Sequence, residues 1–333
     1  MKRPGGPPAP ESASTVPAAP SGTISWPDGQ PTNAVIELVR GLEITIGRRV
    51  DGSLHGNYQG ITPGHGSEPG ESRVYQPGDD VRRIDWNVTA RTQETYVRDQ
   101  IADRDLEGWL VVDASAAMRF GTVTVEKAQI ALAAAACVGF LTVRNKNRIG
   151  AVLVAGPHIK MMPPRAGRDQ VRAILASIAS PPASEHLGRS DLAGAIVRVA
   201  KLSRRRRFVT VVADFAANEQ AGHDWADPLT RLGLRHDLLA IPVHDPRERD
   251  LPPIGMVSIT DPSTGRTREV RVTRDVQRRF ADASVVQSRR QVDDLRRAGA
   301  DIIELRTDSD WLGAIITHVR RRRVQAVNAQ VLR

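Results

Sequence analysis

The 333-residue sequence holds one cysteine, Cys137, so neither a disulfide framework nor a CxxC metal knuckle can be built from it. Lysine is almost as scarce: Lys2, Lys127, Lys146, Lys160 and Lys201 are the only lysines among 47 basic residues, and arginine supplies the rest. None follows a glycine, which removes a phosphate-cradling GK[ST] loop. None stands three residues after a serine, which removes an SxxK nucleophile, and neither a GxSxG elbow nor an HExxH zinc helix occurs. Aromatic residues make up only 4%, so the core has to come from Ala, Val, Leu and Ile. Long apolar runs are missing too. Ala128 to Val143 spans about 16 residues, short of the roughly 20 that cross a bilayer, and it contains Gln129 and Thr142. That run is predicted to be a buried helix. Lys2 and Arg3 lead into PGGPPAPESAS rather than an apolar segment, so no signal peptide is expected and the expected location is cytoplasmic.

What is present is an ordinary globular composition, 40% hydrophobic and 26% charged. At roughly 100–200 residues per domain, the length suggests two domains and a tail. Residues 1–33 are rich in Pro, Ala and Gly and are expected to be a disordered tail. Residues 34–104 open with an amphipathic piece, pass through many turn residues and are expected to form a small β-rich domain. Residues 105–333 alternate short apolar strands (WLVVD, RIGAVLV, RFVTVVA, HDLLAIPV) with helical patterns, interrupted by a hairpin at 256–273. This alternation predicts an α/β domain with a doubly wound, mainly parallel sheet and an inserted hairpin. One helix is predicted over Asp191–Lys201 with Ser190 as its N-cap.

Ligands of open α/β sheets bind outside the carboxyl ends of the strands. Three such ends carry oxygen donors: Asp113 and Ser115 after WLVV, Ser190 before its helix, and Asp214 after FVTVVA. Oxygen donors from separate loops suit a hard cation such as Mg²⁺ and suit zinc poorly. The set resembles the metal-ion-dependent adhesion site of von Willebrand factor A domains, which takes DxSxS from the first loop, a Thr from the second and an Asp from the third. Ser190 stands where Thr is usual, and Ala117 replaces the last Ser of DxSxS, so the resemblance implies a degenerate metal site.

A second resemblance covers most of the chain outside the tail. Gly66, Glu68, Arg73, Tyr75, Pro77-Gly78-Asp79-Asp80, Arg82, Ile84-Asp85-Trp86, Ala90-Arg91 and Val97-Arg98 are similar to the signature of the bacterial domain of unknown function 58 family. Downstream, Asp245-Pro246, Glu248, Leu251-Pro252 and Gly255 also fit, whereas Pro69 stands where Phe usually follows Glu68. The family places a von Willebrand factor A-like domain after this signature. It implies a non-enzymatic adaptor or chaperone-like role beside a MoxR-type AAA+ ATPase, with no small-molecule substrate. Partner contact is then expected at Asp113, Ser115, Ser190 and Asp214, directly or around Mg²⁺.

Two other classes compete. A metal-dependent hydrolase could use the same carboxylates. An arginine-rich nucleic-acid binder could use the net charge of +9 and the runs Arg204–Arg207 and Arg320–Arg323, although no aromatic-interleaved reader motif accompanies them. An acid cluster at Asp79, Asp80 and Asp85 reads more simply as an ionic network with Arg82, Arg83 and Arg91. Trp86 reads as a core or docking residue, His244-Asp245 as a pair without a nucleophile, and Cys137 as a small buried hydrophobe.

Overall fold

A computed structural model describes residues 33–51, 63–76, 79–101, 107–122, 125–143, 147–181, 190–202, 206–216, 222–261, 265–318 and 321. Residues 1–32 of the expected tail lie outside them, and Asn33 begins a helix. In chain order the elements begin with α1 (Asn33–Asp51), β1 (Pro63–Val74), α2 (Trp86–Thr92) and β2 (Tyr96–Ile101). The central unit continues with β3 (Glu107–Asp113), α3 (Lys127–Val143), β4 (Arg148–Ala155), β5 (His158–Ala166), α4 (Arg168–Ala179), α5 (Leu192–Leu202) and β6 (Phe208–Ala213). It ends with α6 (Ala226–Gly233), β7 (Asp237–His244), β8 (Met256–Thr260), β9 (Thr267–Arg271), α7 (Arg274–Arg297), β10 (Asp301–Ile302), β11 (Leu305–Arg306) and α8 (311–318).

The main sheet has the order β10-β7-β6-β3-β4-β5, with β11 also paired to β7. Its strands are parallel except β5, which returns antiparallel along β4 through a tight turn. The expected mainly parallel sheet is therefore present, closed at one edge by a hairpin. Alternation along β3 shows why these strands are apolar throughout. Leu110 and Val112 enter the core beneath α3, α4 and α8, while Trp109 and Val111 enter the core beneath α5, α6 and α7. A strand covered on both faces has no solvent side to mark with polar residues.

The predicted buried helix is α3. Ala131 to Ala136 are all at most 5% exposed, because α3 lies on the sheet and is covered in turn by α1 and α4. Alanine suits such a position: it lets neighbours approach closely and costs no side-chain entropy. Gly139 marks the tightest approach, where an added Cβ would lie 2.7 Å from Val171 of α4. The amphipathic piece at the start of the expected β-rich segment is the helix α1. Val39 and Ile46 are buried against α3 and α4, and Glu43 bridges Arg168 and Arg172 of α4. The next part of that segment is an antiparallel β1–β2 pair. The hairpin is present as β8–β9. The chain then adds two short strands, β10 and β11, both along β7.

Candidate functional site

β3 lies mid-sheet, and the chain moves from it first to β4 on one side and later to β6 on the other. The strand order therefore reverses between β3 and β6, and the topological crevice at their carboxyl ends is where α/β sheets bind ligands. Asp113 ends β3 and Asp214 follows β6, so the fold brings both to this crevice. Asp113 is 3% exposed. Its Oδ1 accepts from the backbone N–H of Ser115 at 2.9 Å and from the hydroxyl of Ser190 at 2.9 Å. Three of the four expected site residues thus meet at one carboxylate oxygen. Burial, then the charge of Asp214, push the Asp113 carboxyl up to about 6, against the pull of these hydrogen bonds.

Ser190 is placed differently from its expected role. Helix α5 is capped by Asp191, whose Oδ1 accepts from the Gly194 N–H at 2.8 Å. With that task taken by its neighbour, the Ser190 hydroxyl is available to Asp113. The Asp191 N–H donates to Gly156 O at 3.1 Å, tying this loop to the β4–β5 turn. Ser115 contributes a buried hydroxyl that has no hydrogen-bond partner among the described residues. Ala117 lies in the following 3₁₀ turn, held down by the fully buried Met118, and brings no oxygen.

Three further side chains of the candidate site escape the sequence reading. Lys127, 1% exposed, begins α3 and places its Nζ 3.4 Å from Asp214 Oδ2 and 2.5 Å from Glu248 Oε1. A cation at a helix N-terminus opposes the macrodipole, and burial also works against it. The Asp214 and Glu248 carboxylates outweigh burial and hold the Lys127 pKa above its usual value. Glu248 is itself fixed by a capping box, its Oε2 accepting from the Asp245 N–H at 2.9 Å. That box was readable as D-x-x-E at 245–248. A charged residue opening a mostly apolar helix was the readable sign for Lys127.

The third is Gln291 of α7. Its Nε2 donates to Asp214 O at 2.7 Å and to Phe215 O at 3.2 Å. Phe215 adopts φ +52°, which is uncommon for a large side chain. Trp225 Nε1 also donates to Phe215 O, at 3.3 Å, and the two rings meet edge to face at 5.0 Å. This support turns the chain after β6 and presents the Asp214 carboxylate to Lys127. Gln291 gives no motif to read; only the packing of α7 across the crevice reveals it.

Asp245 is fully buried and is not an orienting partner for His244. It accepts from Thr122 Oγ1 at 2.6 Å, Thr122 N at 2.9 Å, Thr307 Oγ1 at 2.6 Å and Arg247 N at 2.8 Å. Burial favours its neutral form, but these bonds outweigh burial and lower its pKa. It fastens the loop after β3 to the ends of β7 and β11. His244, beside Arg249 and Glu304, has its pKa pushed down to about 4, first by burial and then by Arg249.

The remaining sequence candidates have structural roles. Asp79 pairs with Arg73 at 2.7 Å, Asp80 caps a 3₁₀ turn through Arg82 N, and Asp85 caps α2 while accepting from Ser72 Oγ at 2.8 Å. Trp86 is 70% exposed, so its reading as a core residue is corrected. Cys137 is buried, and burial pushes its thiol up to about 12. Arg206 pairs with Asp237 at 2.6 Å, and Arg207 pairs with Glu107. Arg204 and Arg205, and Arg320, Arg322 and Arg323, lie outside the described residues.

Among the described residues, no three His, Cys, Asp or Glu side chains are grouped so as to hold a metal ion. Any cation would depend on serine oxygens as well as Asp113 and Asp214. The donors fit a hard ion, since all are oxygens and the buried Ser115 hydroxyl makes no hydrogen bond of ordinary geometry among the described residues. No helix among the described residues is long and apolar enough to cross a membrane.

Residues 71–290 match the family model described as "Protein of unknown function DUF58". Uncharacterized proteins of Mycobacterium bovis and Mycobacterium tuberculosis are each 44% identical over 285 residues, 86% of this chain and 89% of theirs. A crystal structure of the conserved hypothetical protein BatB from Bacteroides thetaiotaomicron aligns with TM-score 0.40 and 12% identity, over 65% of this chain and 98% of that one.

Proposed function

The chain belongs to the DUF58 family, and we propose that it is a non-enzymatic protein-interaction module whose contact face is the β3–β6 crevice. The observation that carries this reading is the costly burial of Asp113 and Ser115 side by side. A buried carboxyl raised to about 6 by burial and a neighbouring acid, next to a buried hydroxyl without a hydrogen-bond partner among the described residues, costs stability unless something binds there. Such a cost is characteristic of a site shaped for a ligand.

The finer reading is a von Willebrand factor A-like domain over 105–333, following the signature-bearing segment 34–104, in a cytoplasmic protein. Asp113, Ser115, Ser190 and Asp214 would hold Mg²⁺ at a degenerate adhesion site. When bound, the cation supplies an electrophilic point that a carboxylate from the partner can coordinate. The residues of this chain would hold that point in place: Ser115 N–H and Ser190 Oγ orient Asp113, and Gln291 orients the Asp214 loop. The family resemblance nominates a MoxR-type AAA+ ATPase as partner, in an adaptor or chaperone-like assembly.

The test is an affinity pull-down from the native host's lysate, with Mg²⁺ and with EDTA, using wild type and Asp113→Ala. Recovery of an AAA+ ATPase by wild type in Mg²⁺, and its loss with EDTA or Asp113→Ala, is the expected result. Equal recovery in all arms would remove this crevice as the contact face.

A further inference from the structure

Lys127 sits on one of the carboxylates that the proposed cation needs. Its ammonium shares Asp214 and Glu248, while Asp113 accepts from the Ser115 N–H and the Ser190 hydroxyl, both neutral donors. The pairing is not a surface accident, since Lys127 is 1% exposed. It also sits where the helix macrodipole disfavours a cation, so the two acids must hold it there. A buried ammonium left without them would carry a penalty of several kcal/mol.

We infer that Lys127 is a tethered counter-ion for Asp214, which a divalent cation must displace before that carboxylate can join its coordination shell. The inference rests on the crevice being the cation site proposed above. It assigns Lys127 and Glu248 a task that the four oxygen donors alone do not explain. In the cation-free protein, Lys127 neutralises Asp214 and keeps the loop in place. When the cation arrives, Glu248 receives the displaced ammonium, because it already holds Nζ at 2.5 Å and its own position is fixed by Asp245. Cation affinity is thereby set low, and the protein keeps its fold in both states.

The experiment is Mn²⁺ titration of the full chain, following loss of the free-ion electron paramagnetic resonance signal. Wild type, Lys127→Met and the double variant Lys127→Met/Glu248→Gln are compared, with Asp113→Ala as the site control. Removing any positive charge near a cation site tightens binding by simple Coulomb attraction, so the single variant alone does not decide the matter. The double variant removes one charge of each sign and leaves the net charge unchanged. It also leaves no acid deprived of Lys127 at position 248, and its glutamine retains an oxygen for the Asp245 N–H. Both variants are expected to bind Mn²⁺ about tenfold tighter than wild type or more, the effect of roughly 1.4 kcal/mol, and Asp113→Ala to abolish binding. Binding by the double variant no tighter than wild type, including no binding by either, overturns the role of Lys127. Tight binding that survives Asp113→Ala overturns it too, because the cation then sits elsewhere. The adaptor reading stands or falls separately, on the pull-down.

Discussion

Asp113→Asn should stabilise this protein at neutral pH, which is unusual for a buried polar residue. Both hydrogen bonds to Asp113 converge on Oδ1. An asparagine whose carbonyl oxygen takes that place keeps the Ser115 N–H and Ser190 hydroxyl bonds and loses only the charge. In the wild type the folded-state carboxyl is raised from 3.8 to about 6. Below pH 4 it is protonated in both folded and unfolded chains and contributes no pH-dependent difference. As pH rises, the unfolded chain releases its proton first, so stability is lost between about pH 4 and 6, and the full loss persists above. At 1.36 kcal/mol per pKa unit, this amounts to about 3 kcal/mol. Urea unfolding of both proteins in EDTA, at pH 4.5 and pH 7.5, reads the difference directly. The advantage of Asp113→Asn should be small at pH 4.5 and reach about 2–3 kcal/mol at pH 7.5. A variant less stable than wild type at pH 7.5, or a gap that does not change with pH, would refute the electrostatic reasoning.

Asp245→Ala removes the acceptor of Thr122, Thr307 and Arg247 N–H and should cost about 3–5 kcal/mol in urea unfolding at pH 7. Because its folded pKa is lowered, the wild-type advantage is full above the unfolded value and shrinks as pH falls through the folded one; a cost under about 1 kcal/mol at pH 7 would contradict the network. The Cys137 thiol, pushed up to about 12 inside α3, should resist iodoacetamide at pH 8 in the native protein and react only on unfolding, as mass spectrometry of the intact chain would report.

Strands and helices with strong periodicity were legible in the sequence. The run WLVVD is apolar at successive positions because both of its faces are covered, and Ala128 to Val143 is apolar on nearly every side because sheet and helices enclose most of it. Asp113, Ser115, Ser190 and Asp214 were legible because strand ends converge in α/β sheets, and three of them do meet through hydrogen bonds. Other features depend on neighbours distant in sequence. Gln291 reaches Asp214 across 77 positions and Lys127 reaches Glu248 across 121, and no local pattern encodes either meeting. The capping assignment at α5 missed by one residue because Ser190 and Asp191 are both good caps, and only the position of Asp113 decides which hydroxyl or carboxylate is used.

The enclosure of α3 has a mechanical consequence. A helix pressed between the sheet and two other helices, and keyed to α4 where Gly139 meets Val171, has little room to tilt or slide. Its first residue, Lys127, therefore stands on a stiff mount, and so does Asp113 at the end of a central strand. Asp214 stands on a turn held by Gln291 and Trp225. Ser190 has a lighter hold, the Asp191 N–H bond to Gly156 O and its own hydroxyl bond to Asp113. Accommodation of a bound group thus falls first to the Ser190 arm, while Asp113, Asp214 and the root of Lys127 serve as fixed datum points.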